Sequence, residues 1–189
     1  MPPSYRLHLA SQSPRRYQLL EGAGFEVICV RSRAEPDLPN NGDGAAQAMR
    51  SALGKLPLTF DGSVLLSADT VVHQGQRCFG KPNDADHAAH MLAALAGSAH
   101  QVSTAVALRH EDGVVSFCVS SDVHFRRLSE MEIRYYIASG EPMDKAGAYG
   151  IQGLGAGLIE SVSGSHTCVV GLPLSETLAA LAQLGVLRR

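Results

Sequence analysis

Tryptophan is absent from this 189-residue chain, and aromatic side chains make up only 5% of it. Proteins that hold single-stranded nucleic acid stack its bases on aromatic rings, so no such platform is expected. An excess of one charge is lacking too: 16 Lys and Arg stand against 18 Asp and Glu, a net charge of −2. Nothing then drives nonspecific nucleic-acid binding, and any phosphate site has to be a local concentration of cations. The four cysteines, Cys29, Cys78, Cys118 and Cys168, never form a C-x-x-C pair. That sets aside zinc ribbons and disulfide scaffolds and leaves reduced thiols as the expectation. No run of about 18 apolar residues is present to span a bilayer, and no early segment reads as a secretion signal. A soluble, cytoplasmic protein with neither a membrane nor a nucleic-acid partner is expected. The phosphate loop G-x-x-x-x-G-K-[ST] and a strand-following G-x-G-x-x-G are missing as well.

What is present is apolar material in alternating patterns. Hydrophobic residues make up 45% of the chain, enough for one domain over residues 1–189 or for two lobes sharing a core. Strand-like runs at 6–10, 25–30 and 63–72 alternate with helix-like runs after Pro14 and at 45–56 and 84–95. A polar stretch at 31–44 reads as a long loop. Two β-rich runs, 102–108 and 114–125, flank Asp112-Gly113, a strong hairpin signal. Ser129 and Glu132, three apart, open a helix over 129–139 with a capping box. A glycine-rich segment at 140–157 follows, then short strands at 158–162 and 167–170 and a closing helix at 173–184. These elements predict an α/β fold, a mixed sheet flanked by helices with an early parallel part and a later antiparallel meander.

The junction Ser11-Gln12-Ser13-Pro14-Arg15-Arg16 lies between the first strand and the first helix. Free N–H groups at a helix start attract anions, and guanidinium forks match phosphate oxygens two at a time. The plain alternative is a well-started surface helix with two solvated arginines. Ser67-Ala68-Asp69-Thr70-Val71-Val72 places a carboxylate where an apolar strand is expected to give way to a turn. A carboxylate held there can bind Mg²⁺ or orient and deprotonate a water, or it can simply cap the turn. Lys81, stiffened by Pro82, and Lys55, near a helix C-terminus, are further candidate cations, each with an ordinary solvated role as its alternative. Gly147-Ala148-Tyr149-Gly150-Ile151-Gln152-Gly153 offers close backbone approach and one amide able to donate and accept at a base edge, or else a structural glycine turn.

Taken together, these motifs resemble the Maf family of nucleoside triphosphate pyrophosphatases, also described as septum-formation inhibitors. The resemblance is carried by the 9–16 and 67–72 segments, Gly80-Lys81-Pro82, the 139–153 segment and Val170-Gly171-Leu172-Pro173-Leu174, in the family's order. It implies two lobes around a central nucleotide cleft, in a homodimer, and hydrolysis of a nucleoside triphosphate to the monophosphate and pyrophosphate. Asp69 would be the catalytic base or water-orienting carboxylate. Ser11, Ser13, Arg16, Lys55 and Lys81 would hold the phosphates. A divalent cation, Mg²⁺ or Mn²⁺, would bind at Asp69 and at Glu35, the one candidate acid where the family carries an acidic pair. Arg15, Thr70 and Gln152 resemble the dTTP/UTP branch, in which the Gln152 amide matches the O4 and N3–H edge of uracil and thymine. The alternatives are the sister branch acting on 7-methyl-GTP and a nucleotide-binding cell-division regulator with little turnover.

Overall fold

The computed structural model describes residues 5–34, 42–58 and 62–186. Strand β1 (Tyr5–Leu9) alternates the buried Leu7 and Leu9 with more exposed residues, and helix α1 (Pro14–Gly22) starts five residues later with Pro14 at its first position. Proline suits that position because its missing N–H would have no intrahelical partner. Then come β2 (Phe25–Cys29), α2 (Gly44–Lys55), β3 (Leu65–Gln74), β4 (Arg77–Phe79), α3 (Ala85–Leu95), β5 (Ala99–His110), β6 (Gly113–Phe125) and α4 (Glu130–Ala138). Three 3₁₀ turns (Glu141–Asp144, Ala146–Ala148 and Gly153–Leu158) lead to β7 (Ile159–Ser163), α5 (His166–Val170) and α6 (Leu174–Gln183).

The strands form one mixed sheet in the order β2-β1-β3-β5-β6-β7, with β4 beside β3. β1 runs parallel to β2 and β3, while β3, β5, β6 and β7 form an antiparallel meander. This is the mixed α/β fold anticipated. The hairpin at Asp112-Gly113 and the capping box between Ser129 and Glu132 both form. Residues 167–170, expected as a strand, are instead helix α5. Their β-branched composition is overridden by local capping: the Ser165 hydroxyl accepts from the Cys168 N–H at 3.2 Å, and Gly171, at φ 126°, ends the turn. Among the described residues no helix is long and apolar enough to cross a membrane.

Packing divides into three apolar groups. Leu7, Leu9, Leu20, Leu66, Ala68, Leu172 and Leu181 fill the space between the sheet and α1 and α6. Ala48, Ala52, Leu56 and Leu65 join α2 to the other face. Leu92, Leu95, Phe125, Tyr136 and Tyr149 build the second lobe under α3 and α4.

His100 lies within this last group, 2% exposed and edge-on to the rings of Phe125 and Tyr149. Its Nε2 meets the Tyr149 hydroxyl at 2.8 Å, while Nδ1 has no partner among the described residues. Burial, assisted by His124 and His73, lowers its pKa to about 4. The folded state therefore refuses a proton that the unfolded chain takes up below its ordinary value of about 6.5, so full stability holds above that pH and is lost on acidification. Between about pH 6.5 and 4 this residue should remove about 3 kcal/mol of stability. Urea melts at pH 7 and 4.5 test this: His100→Gln should flatten the decline, and an unchanged pH dependence would place it on other groups.

Candidate active site

The sheet topology opens a cleft at β3. β1 pairs with β3 only through His8 with Leu65 and Leu9 with Leu66, and β4 begins pairing at Val72. Between those points, residues 67–71 have β5 on one side and, among the described residues, no strand on the other. Successive side chains of a strand point to opposite faces, so a cavity touching both Asp69 and Thr70 must wrap around a free edge. It does so here. A cleft of about 1550 Å³ is lined by both residues, by 11–16 at the end of β1, by Lys55 and Lys81, and by 149–153 from the second lobe. Asp69, expected where the strand gives way to a turn, stands in mid-strand opposite Ala105; the missing neighbour, not a strand end, exposes it.

On the α2 face, the Ser67 hydroxyl donates to the Ala52 carbonyl at 2.7 Å, fixing the helix against the strand. One turn on, Lys55 Nζ donates to Asp69 Oδ1 at 2.5 Å, and each side chain is 13% exposed. The two residues expected to handle water and phosphate thus form one ion pair. An ammonium has three donors, so Lys55 can keep Asp69 and still face a phosphate.

On the opposite face, Arg16 is 8% exposed. Its Nε donates to the Gly171 carbonyl at 2.8 Å, Nη1 to the Ser11 hydroxyl at 3.0 Å and Nη2 to the Thr70 hydroxyl at 3.0 Å. Thr104 donates to the Cys168 carbonyl at 2.8 Å, so the 2.9 Å contact between Thr70 and Thr104 must run from Thr70 to Thr104. Arg16, Thr70, Thr104 and the carbonyl form a chain with one direction. Thr70, expected to choose the base, thereby accepts from the arginine and spends its proton inside the sheet. Ser11 also accepts from the Ser13 N–H at 3.2 Å, shaping the turn before α1. Lys81 is exposed, and among the described residues its ammonium has no partner.

From the second lobe, Asp144 pairs with Arg15 at 3.6 Å and with Lys145 at 2.7 Å. Burial raises the Asp144 pKa, but the hydrogen bond and charge of Lys145 and the charge of Arg15 outweigh it, and the net shift is downward. Gln152 is exposed to the cleft and makes no capping bond to the helical turn it precedes. Every site residue expected from sequence and lying within the described residues lines this one cleft: Ser11, Ser13, Arg15, Arg16, Lys55, Asp69, Thr70, Lys81 and Gln152. Glu35 lies outside the described residues. Sequence reasoning gave no site role to Asp144, Lys145 and Glu141, which also line the cleft; they entered only within the 139–153 segment that carries the family resemblance.

A carboxylate–lysine pair at a strand edge and a helix start with two arginines thus line one cleft of an α/β protein. The chain belongs to the Maf family: the family's profile, described as Maf-like protein, matches residues 6–184. It is 43% identical over 188 residues to the dTTP/UTP pyrophosphatase of Bacillus velezensis, covering 96% of this chain and 97% of that one. With the dTTP/UTP pyrophosphatase of Shigella dysenteriae it shares 43% over 186 residues, 96% and 94% of the two chains. That of Chromobacterium violaceum is 42% identical over 188 residues, 95% of each. A weaker likeness, TM-score 0.44 at 12% identity over 82% of this chain and 79% of the other, runs to the Ham1 protein of Staphylococcus aureus.

Proposed function

We propose that this chain hydrolyses dTTP and UTP to the nucleoside monophosphate and pyrophosphate. The observation that carries the reading is the Lys55–Asp69 pair at the free edge of β3, in a chain so similar over its length to enzymes of that name. Lys55 engages Asp69 Oδ1, so Oδ2 orients and deprotonates the attacking water. The water oxygen bonds to the α-phosphorus, the bond from that phosphorus to the bridging oxygen breaks, and pyrophosphate leaves. Lys55 and Lys81, with Arg16, Ser11 and Ser13 at the α1 start, stabilise the charge on the departing group. Arg15 and Gln152 face the base, with Thr70 held behind them.

A divalent cation fits this site in one manner. Among the described residues no three His, Cys, Asp or Glu side chains cluster as a metal cage. Mg²⁺ is ordinarily held by one or two carboxylates together with substrate phosphates, and Asp69 offers such a carboxylate. The ion would supply charge neutralisation on the phosphate oxygens. The family resemblance supports a homodimer and a cytoplasmic setting, and the single sheet supports one working domain over residues 1–189.

Release of pyrophosphate from dTTP, UTP, CTP and 7-methyl-GTP, with Mg²⁺, with Mn²⁺ and with EDTA, tests the reading. Discrimination by hydrogen bonds to a base edge should favour dTTP and UTP over 7-methyl-GTP by at least about a hundredfold in kcat/KM, and EDTA should abolish turnover. Preference for 7-methyl-GTP would move the chain to the sister branch. Tight nucleotide binding without turnover would make it a regulator.

A further inference from the structure

Gln152 reaches the cleft with its side-chain amide bonded to none of the described residues. Its direction is therefore set by its backbone, and that backbone hangs on one carboxylate. Glu141 Oε2 accepts the Leu154 N–H at 2.9 Å, and Oε1 accepts the Gly155 N–H at 3.0 Å. The buried Tyr136 hydroxyl donates to the same Oε1 at 2.9 Å and accepts the Gly150 N–H at 3.2 Å. Three backbone donors, one before Gln152 and two after it, thus end on the Glu141–Tyr136 pair.

The glycines of this segment serve that clasp. A Cβ on Gly153 would lie 2.7 Å from Glu141 Oε2, and one on Gly155 would lie 2.2 Å from the Gly150 carbonyl and 2.7 Å from the Tyr136 hydroxyl. A side chain at either position would thus collide with the groups that make the clasp. Burial pushes the Glu141 pKa up, yet the Gly155 and Leu154 N–H groups, Tyr136 and Lys145 together hold it below its ordinary value. A second tie runs from the same turn: Lys145 Nζ donates to the Glu141 carbonyl at 2.5 Å and to Asp144 at 2.7 Å, and Asp144 pairs with Arg15.

We infer that Glu141 is a positioning residue for base selection: its carboxylate straps the 150–155 backbone so that the Gln152 amide meets the pyrimidine edge. The inference rests on the reading of Gln152 as a base-contacting residue. Glu141 touches no reacting atom and acts only through that backbone. An amide at this position supplies one acceptor and turns an NH₂ toward the other N–H, so the clasp opens on one side.

Glu141→Gln, Tyr136→Phe and Gln152→Ala are compared by kcat and KM for UTP and 7-methyl-GTP and by inhibition with inorganic tripolyphosphate, which has no base. For Glu141→Gln the KM for UTP should rise about tenfold with kcat nearly constant, and the UTP to 7-methyl-GTP ratio of kcat/KM should fall about tenfold. Tripolyphosphate inhibition should not change, because the phosphate wall is built from other elements. Tyr136→Phe should shift the same ratio about threefold, and it carries the test if Glu141→Gln does not fold. If the ratio holds in both variants while Gln152→Ala collapses it, the inference is wrong and the Gln152 reading survives. If Gln152→Ala also leaves the ratio unchanged, the base-contact reading fails first. Equal losses for both nucleotides and for tripolyphosphate would reduce Glu141 to a fold support and overturn the inference.

Discussion

Asp69→Asn should lower turnover on UTP by a hundredfold or more, on the order of 10²–10⁴, while leaving nucleotide affinity, measured without a divalent cation, equal or tighter. Asparagine keeps the shape of the side chain and a carbonyl that can still accept from Lys55, so the strand and α2 stay in register. What vanishes is the negative charge that draws the proton from water. The same charge faces the polyphosphate of the substrate, so its removal relieves repulsion and favours binding. This split between turnover and affinity separates a base from a phosphate ligand. Single-turnover hydrolysis with Mg²⁺ and titration with a nonhydrolysable UTP analogue in EDTA read the two quantities independently. Turnover within a few-fold of the parent protein would remove Asp69 from the mechanism, and a matching loss of affinity would recast it as a binding residue.

Much of this site could be read from the chain before the fold was known, and for physical reasons. The stretch around Ser11 to Arg16 carries its conformation locally: alternating leucines make β1, and proline with a preceding serine starts α1. The Asp112-Gly113 hairpin and the Ser129 capping box are local in the same way. Residue pairings across the fold are not. Lys55 and Asp69 are 14 positions apart on different elements, and only the packing of α2 over β3 brings them to 2.5 Å. The directed chain through Thr70 depends on the register of Thr70 opposite Thr104, which sequence does not specify. Glu141 was invisible for another reason. Its partners are backbone N–H groups 13 and 14 residues away, and backbone donors leave no residue-type signature except the glycines that make room for the carboxylate. Helix α5 escaped because its β-branched residues point to a strand, while its cap is a single serine.

The second large effect is expected at Arg16, where phosphate binding and fold stability meet. Read from sequence, Arg16 is a phosphate ligand, and Arg16→Ala would weaken triphosphate binding and slow the reaction. The structure adds a second burden: the buried guanidinium donates to the Gly171 carbonyl, to Ser11 and to Thr70, tying the start of α1 to β3 and to the turn after α5. Hydrogen bonds to a charged donor are each worth about 1.5–3 kcal/mol and do not simply add, so a net loss of roughly 3 kcal/mol is expected on truncation. For a chain of this length that corresponds to a fall in Tm of about 6–12 °C. Activity should drop further than affinity for the nucleotide alone would explain, because Ser11 and Thr70 lose the group that orients them, and kcat/KM should fall at least about a hundredfold. Arg16→Lys keeps the charge, but a lysine cannot reproduce the planar fork that serves three acceptors in different directions. It should recover part of the affinity for a nonhydrolysable analogue and little of the Tm. Thermal melts of both variants, with and without the analogue, make the comparison. A Tm for Arg16→Ala matching that of the parent protein would show that the guanidinium bonds seen here do not hold the cleft together.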